Sequence, residues 1–149
     1  MKPSRLLILV GVLSLFSMRH AYAEFQSGIE LKDKKAFQGF EWQTLEAGTL
    51  RVNWYHGDAN FGQAALGAAQ AGLRSISTLM PLDLVQPIEV FIYANTDDLR
   101  GAVAPGGEDW VAGHADPARG VVMVVIEPGA EQSILMEQRI PHELMHVIL

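Results

Sequence analysis

Apolar and polar residues alternate through "FEWQTLE" and "TLRVNWYHG" on either side of "AG". A period of two marks a strand with one buried face, so these segments predict a hairpin closed by a tight turn at Ala47 and Gly48. The period then lengthens. In "GDANFGQAALGAAQAGLRSISTLMP" the apolar positions Phe61, Ala65, Ala68, Gly72, Ile76 and Leu79 recur at helical spacing. Asp58 or Asn60 is the N-cap, since either side chain can accept an early backbone N–H, and Pro81 supplies a stop. The stripe consists mostly of small residues. A helix with Ala and Gly on its buried face can lie close to its neighbour, which predicts a backing helix under a sheet.

"PIEVFIYAN" reads as the clearest strand, with β-branched and aromatic residues between Pro87 and the turn-forming Asn95. "TDDLRGAV" predicts one helical turn capped by Thr96. "GGEDWVAGHADPARG" is a glycine-rich loop with room for a short strand at "WVAGHA", and it leads into "VVMVVIEP", whose length and β-branched content predict another strand. Periodicity alone leaves open whether that last strand is central or at an edge. "GAEQSILMEQRIPHELMHVIL" is helical by the spacing of Ile134, Leu135, Ile140, Leu144 and Ile148, with a kink or restart expected at Pro141 because proline cannot donate the usual backbone bond. The order β, β, helix, β, β, helix predicts an α+β fold: a small mixed twisted sheet with a backing helix and a second helix at the end.

Ahead of this domain stands "MKPSRLLILVGVLSLFSMRHAYAEF", with Lys2 and Arg5, an apolar run from Leu6 to Phe16, and then Ala21-Tyr22-Ala23. That three-part layout predicts a secretory signal peptide over residues 1–23, cleaved after Ala23. The run of eleven residues is too short to cross a bilayer core of about 30 Å as a helix. No cysteine follows it, which excludes a lipid anchor of the lipoprotein type. Residues 24–39 have weak periodicity and many charges and read as a loosely packed leader, leaving 40–149 as one domain. Export to the periplasm, the outer face of the cell membrane or the extracellular space is the expectation.

Composition narrows the chemistry. The chain is 49% apolar and 19% charged, an ordinary globular balance, and loss of residues 1–23 removes three basic side chains and no acidic one, taking the formal charge from −6 to −9. So acidic a protein, with no basic cluster beyond "KDKK", offers no surface for nucleic acid or anionic lipid. A membrane partner is expected only through an uncleaved signal or a part beyond Leu149. With no cysteine, disulfides and thiolate metal sites are impossible, so any metal must be held by His, Asp or Glu.

That requirement directs attention to "PHELMHVIL". Residues four apart on a helix differ by about 40° in direction, so His142 and His146 point the same way one turn apart and can reach one ion. Zinc suits two neutral imidazoles and leaves positions open for water in catalytic sites. Glu143 is turned about 100° from His142 and borders the open side of such an ion, where a carboxylate can take a proton from water and pass it to a leaving amine. Chance alone would place the pattern in a chain of this composition with a probability on the order of 1%. Three further features favour function: the segment is helical on other grounds, the residues between Glu143 and His146 are apolar, and the helix follows an apolar strand. Charge on a helix that must pack on a sheet is costly without a role.

Other positions carry weaker signals. His114 and Asp116 in "GHADP" could serve as ligand or substrate contacts, but in a glycine-rich turn they read first as loop-forming hydrogen bonders. His56 at a strand end reads as structural. Glu137, five residues before His142, does not share its face and reads as a solvated carboxylate. Trp42, Trp54 and Trp110 read as core or rim packing.

"HELMH" resembles the signature of the zincin metalloproteases of the gluzincin-like type. A longer stretch, "LRVNWYHGDANFGQAAL", "PIEVFIYAN", "DWVAGHADPARGVVMVVIEPG" and "QRIPHELMHVIL", resembles the peptidase MA-like domain of exported bacterial proteins. The resemblance implies a twisted sheet with a backing helix and an active-site helix, Zn2+ as cofactor, His142 and His146 as ligands, and Glu143 as general base. It implies that "VVMVVIEP" is the edge strand along which an extended peptide or protein substrate pairs. Such enzymes take a third protein ligand, often a Glu, and an oxyanion-stabilising Tyr or His from downstream. The expectation is therefore a zinc metallopeptidase seen in its N-terminal part, with the closing ligand beyond Leu149. The alternative is a non-catalytic exported binding or structural domain that keeps the peptidase fold.

Overall fold

The computed structural model describes residues 39–82, 84, 86–103 and 112–149, all within one unit, Ala36–Leu149. The expected signal peptide over 1–23, residues 24–38 of the expected leader and Trp110 lie outside the described residues. Two strands, β1 (Gln43–Ala47) and β2 (Leu50–Trp54), form the expected antiparallel hairpin. Its turn needs a left-handed residue, and Gly48 supplies it with φ of 62°. Helix α1 (Ala59–Leu79) follows, with Asp58 as its cap: Phe61 N–H donates to Asp58 Oδ1 at 3.0 Å. Strand β3 is Ile88–Tyr93 and helix α2 is Thr96–Ala102. The α2 cap is Asn95, not Thr96, because the Asn95 side chain reaches the Asp98 N–H at 2.8 Å. Strands β4 (Gly113–Asp116) and β5 (Val121–Val125) and helix α3 (Gln132–Ile148) complete the order.

The five strands form one mixed sheet in the order β1-β2-β3-β5-β4. β2, β3 and β5 run parallel in the centre, and β1 and β4 pair antiparallel at the two rims. The chain is thus α+β, with three helices among the described residues. One expectation fails here: "VVMVVIEP" is not the edge strand. Residues 117–120 turn β4 back onto β5, with Arg119 N–H donating to Asp116 O at 3.2 Å and Gly120 at φ of 67°. β5 is left between β3 and β4 with all five residues buried, as an apolar run without alternation demands of an inner strand. The edge is β4.

Both long helices cover one face. Leu50, Val52 and Trp54 of β2, Ile88, Val90 and Ile92 of β3, and Val122 and Val124 of β5 meet Phe61, Ala65, Ala69 and Ile76 of α1 and Met136, Ile140 and Leu144 of α3. α1 contacts β1 and β2, α3 contacts β4 and β5, and the helices touch each other between. The small-residue stripe does bring α1 close to its neighbours. Gly62 faces the Trp54 ring, and Gly72 faces Pro141 of α3. Two positions of the apolar pattern are exposed instead, Leu79 at the end of α1 and Ile134 in the first turn of α3, because helix ends project past the sheet. Pro141 lies inside α3, so the helix does not restart there. Its ring packs on Gly72, so the position that lacks a backbone donor is one where the other helix comes close.

The second face carries an aromatic group in which Trp42 stands edge-on to Tyr55, Phe91 and Tyr93 at centroid distances of 5.1, 5.4 and 5.5 Å. The Tyr55 hydroxyl donates to Asp98 Oδ2 at 2.5 Å and accepts from Ala94 N–H at 2.7 Å. Burial pushes both Tyr55 and Tyr93 well above the ordinary phenol value. Beside them Glu89, 4% exposed, receives Arg51 at 2.8 Å and Asn53 Nδ2 at 3.1 Å.

Candidate active site

The buried stripe Met136, Ile140 and Leu144 fixes the rotation of α3 on the sheet, since residues at i and i+4 share a face. His142 and His146 are thereby exposed on the outer side of the helix, and Glu143 is half-buried on the flank toward β4. The two imidazoles converge: His142 Nε2 and His146 Nε2 stand 3.3 Å apart, with ring planes at 81°. Two nitrogens bound to one tetrahedral zinc at 2.0 to 2.1 Å would be separated by about 3.3 to 3.4 Å. The spacing therefore matches the chord of a shared ion. It also suits an N–H···N hydrogen bond between the rings.

Among the described residues no third His, Asp or Glu joins this pair to form a group of three. His114 and Asp116 alternate with Gly113 along β4 and so point to the opposite face of the sheet from Glu143. Asp116 does what the loop-forming reading expects, accepting Arg119 N–H at 3.2 Å and pairing with the Arg119 guanidinium at 3.4 Å. His56 and Glu137 are exposed on other surfaces. Trp42 and Trp54 pack, Trp54 in the core at 3% exposure.

Two residues that the pattern did not single out shape the site. Arg139 precedes Glu143 by one helical turn, and its guanidinium donates to the Val125 carbonyl, tying α3 to the end of β5. Gly113 lies directly beneath the Glu143 side chain. A helix-face argument around His142 could have reached Arg139, at i−3. Nothing in a glycine-rich segment distinguishes Gly113 from its neighbours until the helix is laid over it.

The edge strand turns alternate backbone groups outward. Val125 N–H donates to Ala112 O at 2.9 Å, and the antiparallel register pairs Gly113 with Val124 and His114 with Met123. Hydrogen-bonded and non-bonded pairs alternate, so the N–H and C=O of Gly113 and Ala115 point away from β5, toward the open rim. An extended peptide laid along that rim would pair with these groups by strand addition. The rim runs below α3 on the side where Glu143 descends. Neither a protein-family model, nor a curated protein, nor a solved structure matches this chain.

Proposed function

We propose that this protein is an exported zinc-dependent peptidase of the zincin kind, in which His142 and His146 hold the metal and Glu143 is the general base. The observation that carries the proposal is the 3.3 Å separation of the two Nε2 atoms on one helix, the chord that a tetrahedral ion requires. Zinc bound there would supply Lewis acidity, making water a better nucleophile near neutral pH and polarising a carbonyl. The protein's own residues do the rest. β4 would hold an extended substrate by the outward groups of Gly113 and Ala115. Glu143, one position beyond the first ligand and over that strand, would take the proton of the attacking water on its carboxylate and hand it to the leaving amine. The N-terminal apolar run with its Ala-Tyr-Ala ending supports export.

Elemental analysis of the purified full-length protein and of its His146→Ala variant tests the metal. About one zinc per chain in the first and loss of it in the second is expected, and equal zinc in both removes these histidines from metal binding in favour of a ring-to-ring hydrogen bond. Glu143→Gln should keep zinc and lose peptide hydrolysis. Retained hydrolysis would take Glu143 out of the mechanism.

A further inference from the structure

Gly113 has no backbone reason to be glycine. It opens a strand, where glycine is unfavourable, and it is not among the residues with positive φ. Its register partner Val124 is an ordinary β-branched core residue. What it lacks is room. A Cβ at Gly113 would lie 2.8 Å from Glu143 Cδ and 3.0 Å from Glu143 Cγ, and it would overlap Oε1. The three heavy atoms nearest to such a methyl all belong to the end of the Glu143 side chain.

We propose that Gly113 is a positioning residue for Glu143: the absence of a side chain on this edge strand seats the carboxylate flush against the strand, in reach of a peptide bond paired along its open rim. The inference rests on the zinc-peptidase reading and adds to it a steric requirement on the strand opposite the base. The carboxylate is the free end of a flexible chain, so a methyl at 113 would displace the carboxylate and leave the strand in place. Fold and metal site would survive while the base moves. Glu143 would then swing outward over the rim, into the path of the substrate backbone or away from the water it serves.

The test is Gly113→Ala in the full zinc-loaded chain, measured against wild type. Zinc stoichiometry and affinity should be unchanged, and the melting temperature unchanged or higher, since alanine suits a strand better than glycine. With a peptide substrate, kcat should fall about 10- to 100-fold with KM within about twofold, the range for a misplaced general base. In a Glu143→Asp background, where the side chain is one methylene shorter and clears the methyl, Gly113→Ala should change kcat by less than about threefold. Equal losses in both backgrounds, or no loss in wild type, overturn the proposal. A separate readout needs no activity: a nuclear Overhauser contact between the Gly113 α-protons and the Glu143 γ-protons, with or without metal. Its absence overturns the proposal, whereas a chain that shows the contact but holds no zinc sinks the peptidase reading and leaves the seat intact.

Discussion

Pro141, the residue before the first histidine of the site, rests against Gly72 of the neighbouring helix so closely that a Cβ on Gly72 would stand 3.0 Å from both Pro141 Cβ and Cγ and 3.2 Å from its Cα. The contact is between a rigid ring and a backbone. Replacing Gly72 by alanine gains roughly 1 kcal/mol of helix propensity but costs about 1 to 3 kcal/mol of overpacking, because neither partner can rotate away. Gly72→Ala is therefore expected to lower stability by about 1 kcal/mol and to weaken zinc binding several-fold through the shift of α3. Urea denaturation and a zinc titration check both parts. A variant as stable as wild type would mean that the helices part without strain.

Gly62 and Gly67 of the same helix should respond in opposite ways. A Cβ at Gly62 would penetrate the buried Trp54 ring, meeting Cη2 and Cζ2 and coming within 2.7 Å of Cζ3, whereas a Cβ at Gly67 meets nothing within 4 Å. Gly62→Ala is expected to destabilise by at least about 2 kcal/mol, since the indole has no space to retreat into. Gly67→Ala should stabilise by up to about 1 kcal/mol through propensity alone. Thermal melts of the two variants side by side decide the matter, and a stable Gly62→Ala would contradict the packing of Trp54 described above.

Glu89 ties stability to pH. Burial raises its carboxyl above the ordinary value of 4.5, against the pull of the Arg51 guanidinium and the Asn53 amide. The folded protein therefore holds this proton more tightly than the unfolded chain does. That contribution is complete below the unfolded value and is lost as pH rises through the folded one. Glu89→Gln does not titrate at this position, so the stability difference between wild type and variant isolates the effect. Wild type should lose ground to Glu89→Gln as pH rises above the ordinary carboxylate value in paired denaturation series. If wild type gains instead, the ion pair with Arg51 outweighs burial.

Much of the fold is legible in the order of periods along the chain, because strands and amphipathic helices write their burial directly into the sequence. The hairpin, a cap at Asp58 or Asn60 and the course of β3 follow from such signals. The placement of β5 does not. A continuous run of Val and Met states that both faces are covered but not which strand lies beside it, and only the turn through Pro117 and Gly120 puts β4 outside. Asn95 and Thr96 are both good caps, and the choice between them depends on where the first helical N–H points. The convergence of His142 and His146 is read from helix geometry alone. The seat of Glu143 is not, since it depends on a strand that meets α3 only in three dimensions, and His114, the more conspicuous residue of that strand, faces the other way.

The mixed order of the sheet also bears on how the chain reaches it. Each rim is a local event: β1 returns on β2 through one tight turn, and β4 on β5 through another. The centre is not, for Leu50 must find Ile88 and Glu89 must find Val121 across intervening helix and loop. Loop-closure entropy is concentrated there, which makes pairing across β2, β3 and β5 the slow step and the rim hairpins the segments able to form before it. The edge strand β4 thus belongs to a local unit that can pair before the core that supports it.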